Sequence, residues 1–266
     1  MNLRHSLFKE YLRDKNVIIV GNNLDSLEKK NGDFIDGYDR VIRLGKGIPN
    51  TMTQEYIGTF THAWASGELR LPMKDLLAKG TQVLFNPSIS NRNTKGKWMP
   101  LHKKIRTMLD DSNYIQMYNQ RKIDSIKEKF DVSDYRRLSG GAILSHWITH
   151  ACRGWKSLTF INFDCFKKSM VFTDTSQGRD SISSSYHMPL LGKQHMPEDF
   201  TAIPYGHPAH DVQGETRLFL GLLTVKNTHW IGDPPSLNAM PQIIKTPNVI
   251  WSKGRTEKKE VAHESK

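Results

Sequence analysis

Cysteine is nearly missing from this chain: two in 266 residues, Cys152 and Cys165. That is too few for a disulfide framework, and neither a C-x-x-C nor a pair at zinc-binding spacing occurs. Long apolar runs are missing as well. No stretch approaches the roughly 20 residues a membrane helix needs, and the first fifteen residues are charged throughout, without the apolar centre of a secretion signal. The expectation is a soluble, cytoplasmic protein with no membrane span, in the host cytoplasm if the chain is viral. Acid is scarce relative to base: 27 Asp and Glu against 38 Lys and Arg, a net charge of +11 and a pI near 9.6. Such a balance points to a polyanionic partner such as nucleic acid, acidic glycan or a membrane surface, although a merely basic soluble protein has the same composition.

What is present reads as one α/β domain. The length suits a single large domain or two small ones. Residues Leu3, Leu7, Phe8, Tyr11 and Leu12 form a helical stripe. Asn16 to Val20 is a β-branched run that ends in Gly21-Asn22-Asn23, a buried strand leading into a tight turn, with a helix expected from Leu24 to Lys30. Further strands are expected at Tyr38–Leu44, Gly58–Ala65, Gln82–Asn86, Asn113–Tyr118 and Leu158–Asp164, with helices at Leu69–Lys79, Arg121–Phe130 and from Ser139 to Cys152. Between Lys167 and Ala209 no element is expected, and the segment reads as a lid or binding loop. A helix follows His210, Thr228–Ile231 adds an edge strand, and 253–266 is a charged tail. The alternation predicts a doubly wound, mostly parallel sheet with helices on both faces, in one domain over 1–252 with the insert at about 167–209.

Four stretches carry chemistry. Gly21-Asn22-Asn23 closes a strand where an α/β fold can hold a phosphate on free backbone N–H groups; an unliganded turn fits equally. The full G-x-G-x-x-G pattern is absent, which argues against a dinucleotide. Ser139-Gly140-Gly141 opens an apolar helix and is a second phosphate or ribose candidate, or an N-cap with glycines for close packing. Residues 92–106 contain Arg92, Lys95, Lys97, Trp98, Lys103 and Lys104 and no acid at all, as a phosphate backbone with an exposed base would require. A solvated loop and helix face is the plain alternative. His210-Asp211-Val212-Gln213-Gly214-Glu215 puts a histidine just outside a helix whose first turn holds a carboxylate. By itself it is a surface histidine and a first-turn glutamate.

Taken in order, three of these pieces resemble one family. Gly21-Asn22-Asn23 followed by Ile35 to Leu44, with its Val41-Ile42-Arg43 strand, resembles the large motif of sialyltransferases. Leu138-Ser139-Gly140-Gly141 through Ile161-Asn162-Phe163-Asp164 resembles their small motif, and His210 to Glu215 has the spacing of their H-x-x-x-x-E motif. Tyr186-His187 could stand where the family carries an aromatic and histidine pair. The resemblance implies a Rossmann-like, GT-A-variant glycosyltransferase domain with a lid, using a UDP- or CMP-linked sugar as substrate and no cofactor or metal. Gly21, Asn22 and Asn23 would hold the donor phosphate, Ser139, Gly140 and Gly141 phosphate or ribose, and Asn162 with Asp164 would lie near the nucleoside. His210 would be the general base of an inverting displacement, and Glu215 would orient it. No D-x-D triplet occurs, in keeping with metal independence. The chain departs from the family at Asn23, which replaces Ser, and at Gly45, which replaces Asn. It also lacks the first-motif cysteine that would pair with Cys152.

Charge and the missing secretion features favour double-stranded DNA as the partner and a hydroxymethylated cytosine as acceptor. In role and character this is similar to the T-even-type bacteriophage enzymes, including arabinosyl-transferring ones, that decorate that base against host restriction. The base would have to be flipped out to be reached. A CMP-sialic acid-dependent sialyltransferase acting on a surface glycan is the alternative, and a non-enzymatic nucleic-acid-binding module a third reading.

Overall fold

The structure is a computed structural model that describes residues 3–23, 26, 28–45, 47–51, 53–66, 80–85, 114–132, 138–163, 165, 171–174, 181–184 and 211–237. In chain order these form α1 (Leu3–Leu12), β1 (Asn16–Val20), α2 (Gly32–Asp36), β2 (Arg40–Leu44), α3 (Gln54–Ile57), β3 (Ala63–Ser66), β4 (Gln82–Phe85) and β5 (Tyr114–Gln116). There follow α4 (Gln120–Lys129), α5 (Gly140–Ala151), β6 (Ser157–Ile161), β7 (Val171–Asp174), β8 (Ser181–Ser184), α6 (Val212–Leu223) and β9 (Thr228–Ile231).

Seven strands make one sheet in the order β5-β4-β3-β2-β1-β6-β9. Every pairing in it is parallel. The chain enters at the middle with β1, walks outward to β5, then returns across β1 to place β6 on its other side. Strand order therefore reverses between β1 and β6, and this is where open α/β sheets bind ligands, outside the carboxyl ends of the strands. The central strands read as continuous apolar runs because both faces are covered. On one face Val17, Ile19, Ile42, Leu158 and Phe160 meet Phe8 and Leu12 of α1, Trp147 and Ile148 of α5, and Leu218, Phe219 and Leu222 of α6. On the other, Ile18, Val20, Val41 and Ile161 meet Ile35 of α2 and Ile57 of α3.

Several expectations need correction. Of the helix expected from Leu24 to Lys30, Ser26 lies in a 3₁₀ turn and 28–30 in turn and loop, while 24, 25 and 27 lie outside the described residues; the α-helix comes later, at Gly32, after the Asn31 N–H has bonded to the carbonyls of Lys29 and Tyr56. The third strand begins at Ala63 and not at Gly58, whose φ of +77° breaks the extended chain. Residues 58–60 are instead a loop clamped from two sides. Asp36 accepts from the Thr59 N–H, the Thr59 hydroxyl and the Phe60 N–H. The buried Arg43 guanidinium donates to the carbonyls of Phe60 and Ile57 at 2.8 and 2.6 Å. Of the α1 stripe, Phe8 and Leu12 are buried, whereas Leu7 is 62% exposed. Inside the segment expected to hold no element, β7 and β8 form an antiparallel pair in the register Val171↔Ser184. The expected helix at 69–79 lies outside the described residues.

Candidate functional site

Strands β1 and β6 pair through Val20↔Ile161, so the residues that follow them, Gly21 and Asn162, emerge together at the carboxyl edge of the sheet. They touch. A Cβ on Gly21 would stand 2.2 Å from the Asn162 carbonyl oxygen, which leaves glycine as the residue that fits. Asn162 itself turns the chain in the left-handed region, at φ +60°, where asparagine is among the few side chains tolerated. The Gly21 N–H donates to the Ile161 carbonyl at 2.8 Å and the Asn23 N–H to the Asn162 carbonyl at 3.2 Å. Two of the three N–H groups of this turn are thus consumed by the end of β6 and the residue that follows it. A cradle of free backbone donors, as its sequence suggested, is not what the turn offers.

It offers side-chain amides. The Asn22 Nδ2 donates to the Leu44 carbonyl at 3.0 Å and its oxygen lies against Gly47, so this side chain latches the β1 turn to the end of β2. Asn23 and Asn162 are buried, at 8% and 9% exposure. The Asn23 Oδ1 and the Asn162 Nδ2 have no partner among the described residues. A buried acceptor and a buried donor left open at a switch point are worth about 1–3 kcal/mol each in unmet hydrogen bonding, which a polar ligand can recover.

The second turn arrives from the other direction. Ser139 caps α5, accepting from the Ala142 N–H at 3.0 Å. Gly140 and Gly141 occupy the first helical turn, where N–H groups have no acceptor within the helix and the dipole favours an anion. A Cβ on Gly141 would stand 3.1 Å from the Phe163 ring and 3.2 Å from Leu44 Cδ1, so α5 starts close against the ends of β6 and β2.

Glu215, in the first turn of α6, is the residue that ties this turn to its neighbour. Its Oε1 accepts the Ser139 N–H, and its Oε2 accepts the Ser139 hydroxyl at 2.9 Å. Only 1% of Glu215 is exposed. Burial pushes its carboxyl up to about 8, against the Ser139 bonds that favour the anion; Asp211 nearby adds to the rise. Sequence reasoning placed Ser139 and Glu215 in separate motifs and did not pair them. It also passed over Asp211, the N-cap of α6, whose carboxylate accepts the Gly214 N–H at 2.9 Å. An acidic residue three positions before a helical glycine was the available signal. Gly214 lets α6 approach the segment after α4, since a Cβ there would meet Val132 Cγ2 at 2.5 Å.

Gly21, Asn22, Asn23, Asn162, Ser139, Gly140, Gly141 and Glu215 therefore gather at one edge of one sheet. His210, Asp164, Tyr186 and His187 lie outside the described residues, as do Arg92, Lys95, Lys97, Trp98, Lys103 and Lys104. Gly45, the departure from the family pattern, sits at φ +48° with its N–H on the Ala65 carbonyl. Its own carbonyl accepts the Trp64 indole N–H at 2.6 Å.

A parallel sheet whose buried amides and helix start lie at the strand-order reversal defines an open α/β protein, and the carboxyl edge at such a reversal is where folds of this kind place ligands. No protein-family model matches the sequence, and no curated protein matches it either. Among solved structures, the chain is similar to a mammalian sialyltransferase in complex with Gal-β-1,3-GalNAc-ortho-nitrophenol. The two are 14% identical, with 85% of this chain and 72% of that one covered and a TM-score of 0.51. A further mammalian sialyltransferase structure is also 14% identical, over 86% of this chain and 79% of that one, at a TM-score of 0.49. The sialyltransferase CstII from Campylobacter jejuni, in complex with cytidine-5'-monophosphate, is 17% identical over 56% of this chain and 68% of that one, at 0.38. The shared property is the fold: the chain has the α/β fold of the first of these, a sialyltransferase.

Proposed function

We propose that the protein is a nucleotide-sugar-dependent glycosyltransferase, inverting and independent of metal, that transfers a sugar to a hydroxyl acceptor. The observation that carries this reading is that two separate turns, at Gly21–Asn23 and Ser139–Gly141, both lie against the Phe163 ring beside the β1/β6 switch point, with Glu215 fixing the second. The donor phosphate faces the open N–H groups of Gly140 and Gly141 at the start of α5, where the helix dipole adds to binding. The Asn23 and Asn162 amides face the nucleoside end, and Asn22 keeps the β1 turn in shape. His210, one residue ahead of the Asp211 cap, is the general base that takes the acceptor proton as the hydroxyl attacks the anomeric carbon. Glu215 sets that helix against Ser139 and so positions the base relative to the phosphate turn. Asp164, Tyr186 and His187 complete the donor side.

The favoured acceptor is the hydroxymethyl group of a modified cytosine in double-stranded DNA, with a pentose such as arabinose from a UDP-sugar as donor. What supports it is the +11 charge, together with the acid-free segment from Arg92 to Arg106. Incubation with hydroxymethylated DNA and a panel of nucleotide sugars, read by mass spectrometry of the nucleosides, is the test. A mass increase of one sugar that disappears with His210→Ala is the expected result, and no transfer from any donor overturns the acceptor. One observation favours a second reading: the likeness in fold to the mammalian sialyltransferase. Release of CMP from CMP-sialic acid without any effect of DNA would establish that alternative.

A further inference from the structure

The amino edge of the sheet, opposite the candidate site, holds a cleft of about 730 Å³. It is built where α4, α5 and α6 all end and where the chain turns into β6 and β9. Lys129, His150, Arg153 and Lys226 line it, with Phe130 and Trp155 as its apolar wall and no acidic side chain in the lining. The four basic residues are exposed. Some bases of the described surface meet acids: Arg13 with Glu10 at 2.8 Å, Lys30 with Glu55 at 3.0 Å, Arg217 with Asp131 at 3.4 Å. Lys129, Arg153 and Lys226 make no such pair among the described residues.

Helix ends attract bases, because unpaired carbonyls carry partial negative charge. That accounts for only part of the cluster. The carbonyls of Phe130 and Asp131, just past α4, are already bonded by Arg217 at 2.8 and 2.6 Å, so Lys129 is surplus there. Arg153 spends its Nε on the Thr149 carbonyl at 3.2 Å, leaving the rest of its guanidinium outward. Trp155 takes the Ile148 carbonyl at 3.3 Å. The crowding is felt within the cleft: the His150 pKa is lowered by burial and then by the charges of Arg153, Lys129 and Lys122. Like charges held together without counter-charge around a concave surface are an anion site awaiting its anion.

We propose that this cleft binds the phosphodiester backbone of a nucleic acid and anchors the strand at the edge of the sheet away from the transfer site. A strand of phosphates, spaced several ångströms apart, can engage several of these separated cations at once, which a single small anion cannot do as well. The inference shares with the proposed function the expectation of a nucleic-acid partner. It requires no sugar chemistry.

The test is fluorescence anisotropy of labelled single-stranded and duplex oligonucleotides against the full chain, without nucleotide sugar, across a range of salt. The double variant Lys129→Gln/Lys226→Gln spares Arg153, which caps α5, and Lys29→Gln, beside α2, is the control. The double variant is expected to bind about tenfold more weakly at low salt, with a salt slope reduced by about 2, while Lys29→Gln binds as the wild type. Whichever of strand and duplex loses more identifies the form the cleft holds. Unchanged affinity and slope in the double variant overturn the proposal. So does inorganic phosphate that displaces the strand where chloride of equal ionic strength does not, since that marks a small-anion site. Binding through the cleft without transfer to any DNA overturns the transferase reading alone; transfer to hydroxymethylated DNA with the double variant binding normally overturns the cleft alone.

Discussion

The two edges of the parallel sheet are built on opposite electrostatic plans. At the carboxyl edge the polar groups are amides and hydroxyls that are buried, as Asn23 and Asn162 are, or half-buried, as Asn22 and Ser139 are. The acid bonded to Ser139 there, Glu215, is pushed up by burial to about 8. In the amino-edge cleft the charged side chains are exposed and share one sign. Both differences follow from how the chain meets the sheet. Tight turns leave the carboxyl ends of β1 and β6 beside the start of α5, so backbone and short side chains crowd there and solvent is excluded. The helices end at the other edge, where long basic side chains can reach water. The comparison teaches that, on the proposed reading, directed recognition with each donor and acceptor fixed suits the first edge, and long-range attraction of a polyanion the second.

The largest expected effect is at the carboxyl edge. Glu215→Ala leaves the Ser139 N–H and hydroxyl without their acceptor in a buried place and costs about 3 kcal/mol, read as a fall in the denaturation midpoint. If the variant melts with the wild type, the pairing of Ser139 with Glu215 is not what joins α5 to α6. Gly21→Ala comes next. Its methyl must displace the Asn162 backbone, which follows β6 and accepts the Asn23 N–H, so about 2 kcal/mol is lost, and on the proposed reading affinity for the nucleotide sugar falls with it in calorimetric titration. A tolerated alanine would mean that the two turns are further apart than 2.2 Å of approach implies.

These two positions differ in how far the sequence exposed them. Gly21 was visible because a β-branched run ending in glycine is a local signal, as was the Ser139-Gly140-Gly141 helix start. The alternation of apolar runs was enough to predict an α/β sheet with helices on both faces. The strand order and the wholly parallel pairing are long-range outcomes that no local pattern records. So is the bond between Ser139 and Glu215, 76 residues apart. The short pair β7–β8 escaped because four-residue strands amid Ser, Gly and Asp carry little periodicity. The amino-edge cleft escaped for a different reason: Lys129, His150, Arg153 and Lys226 are ordinary helix-end residues in sequence and become a cluster only when three helices finish together.

The two edges should also respond to pH in opposite directions. Glu215 has an ordinary value of 4.5 and is raised to about 8 in the fold. Its contribution to stability is complete below about 4.5 and is lost as pH rises toward 8, because the unfolded chain ionises first. His146 lies beneath the amino-edge cleft, its ring 4.4 Å from His150 and its Nδ1 2.9 Å from the Tyr118 hydroxyl. Burial, with the charges of His150, Lys122 and Lys129, lowers it from 6.5 to about 3. Its contribution is complete above 6.5 and is lost as pH falls toward 3. Urea melts at several pH values should show the difference between wild type and Glu215→Gln growing on the alkaline side, and that between wild type and His146→Gln growing on the acid side. A difference of the same sign slope for both variants would end the contrast.

The smallest effect sharpens it most. Lys226 follows α6 at the amino edge, exposed and without an ion pair among the described residues. Surface substitutions of this kind shift stability by less than about 0.5 kcal/mol, so Lys226→Ala should melt with the wild type. On the proposed transferase reading, its turnover on a short hydroxymethylated oligonucleotide at saturating concentration should be unchanged, since the group is at the far edge from the Gly21 and Ser139 turns. On long DNA at subsaturating concentration and low salt, the same variant should be slower, through KM and not kcat. Lys226 would act by raising the local concentration of the polymer, an effect that screening removes. A fall in kcat on the short acceptor would instead mean that the two edges are coupled through α6, whose first turn holds Glu215 and whose last turn leads into the cleft.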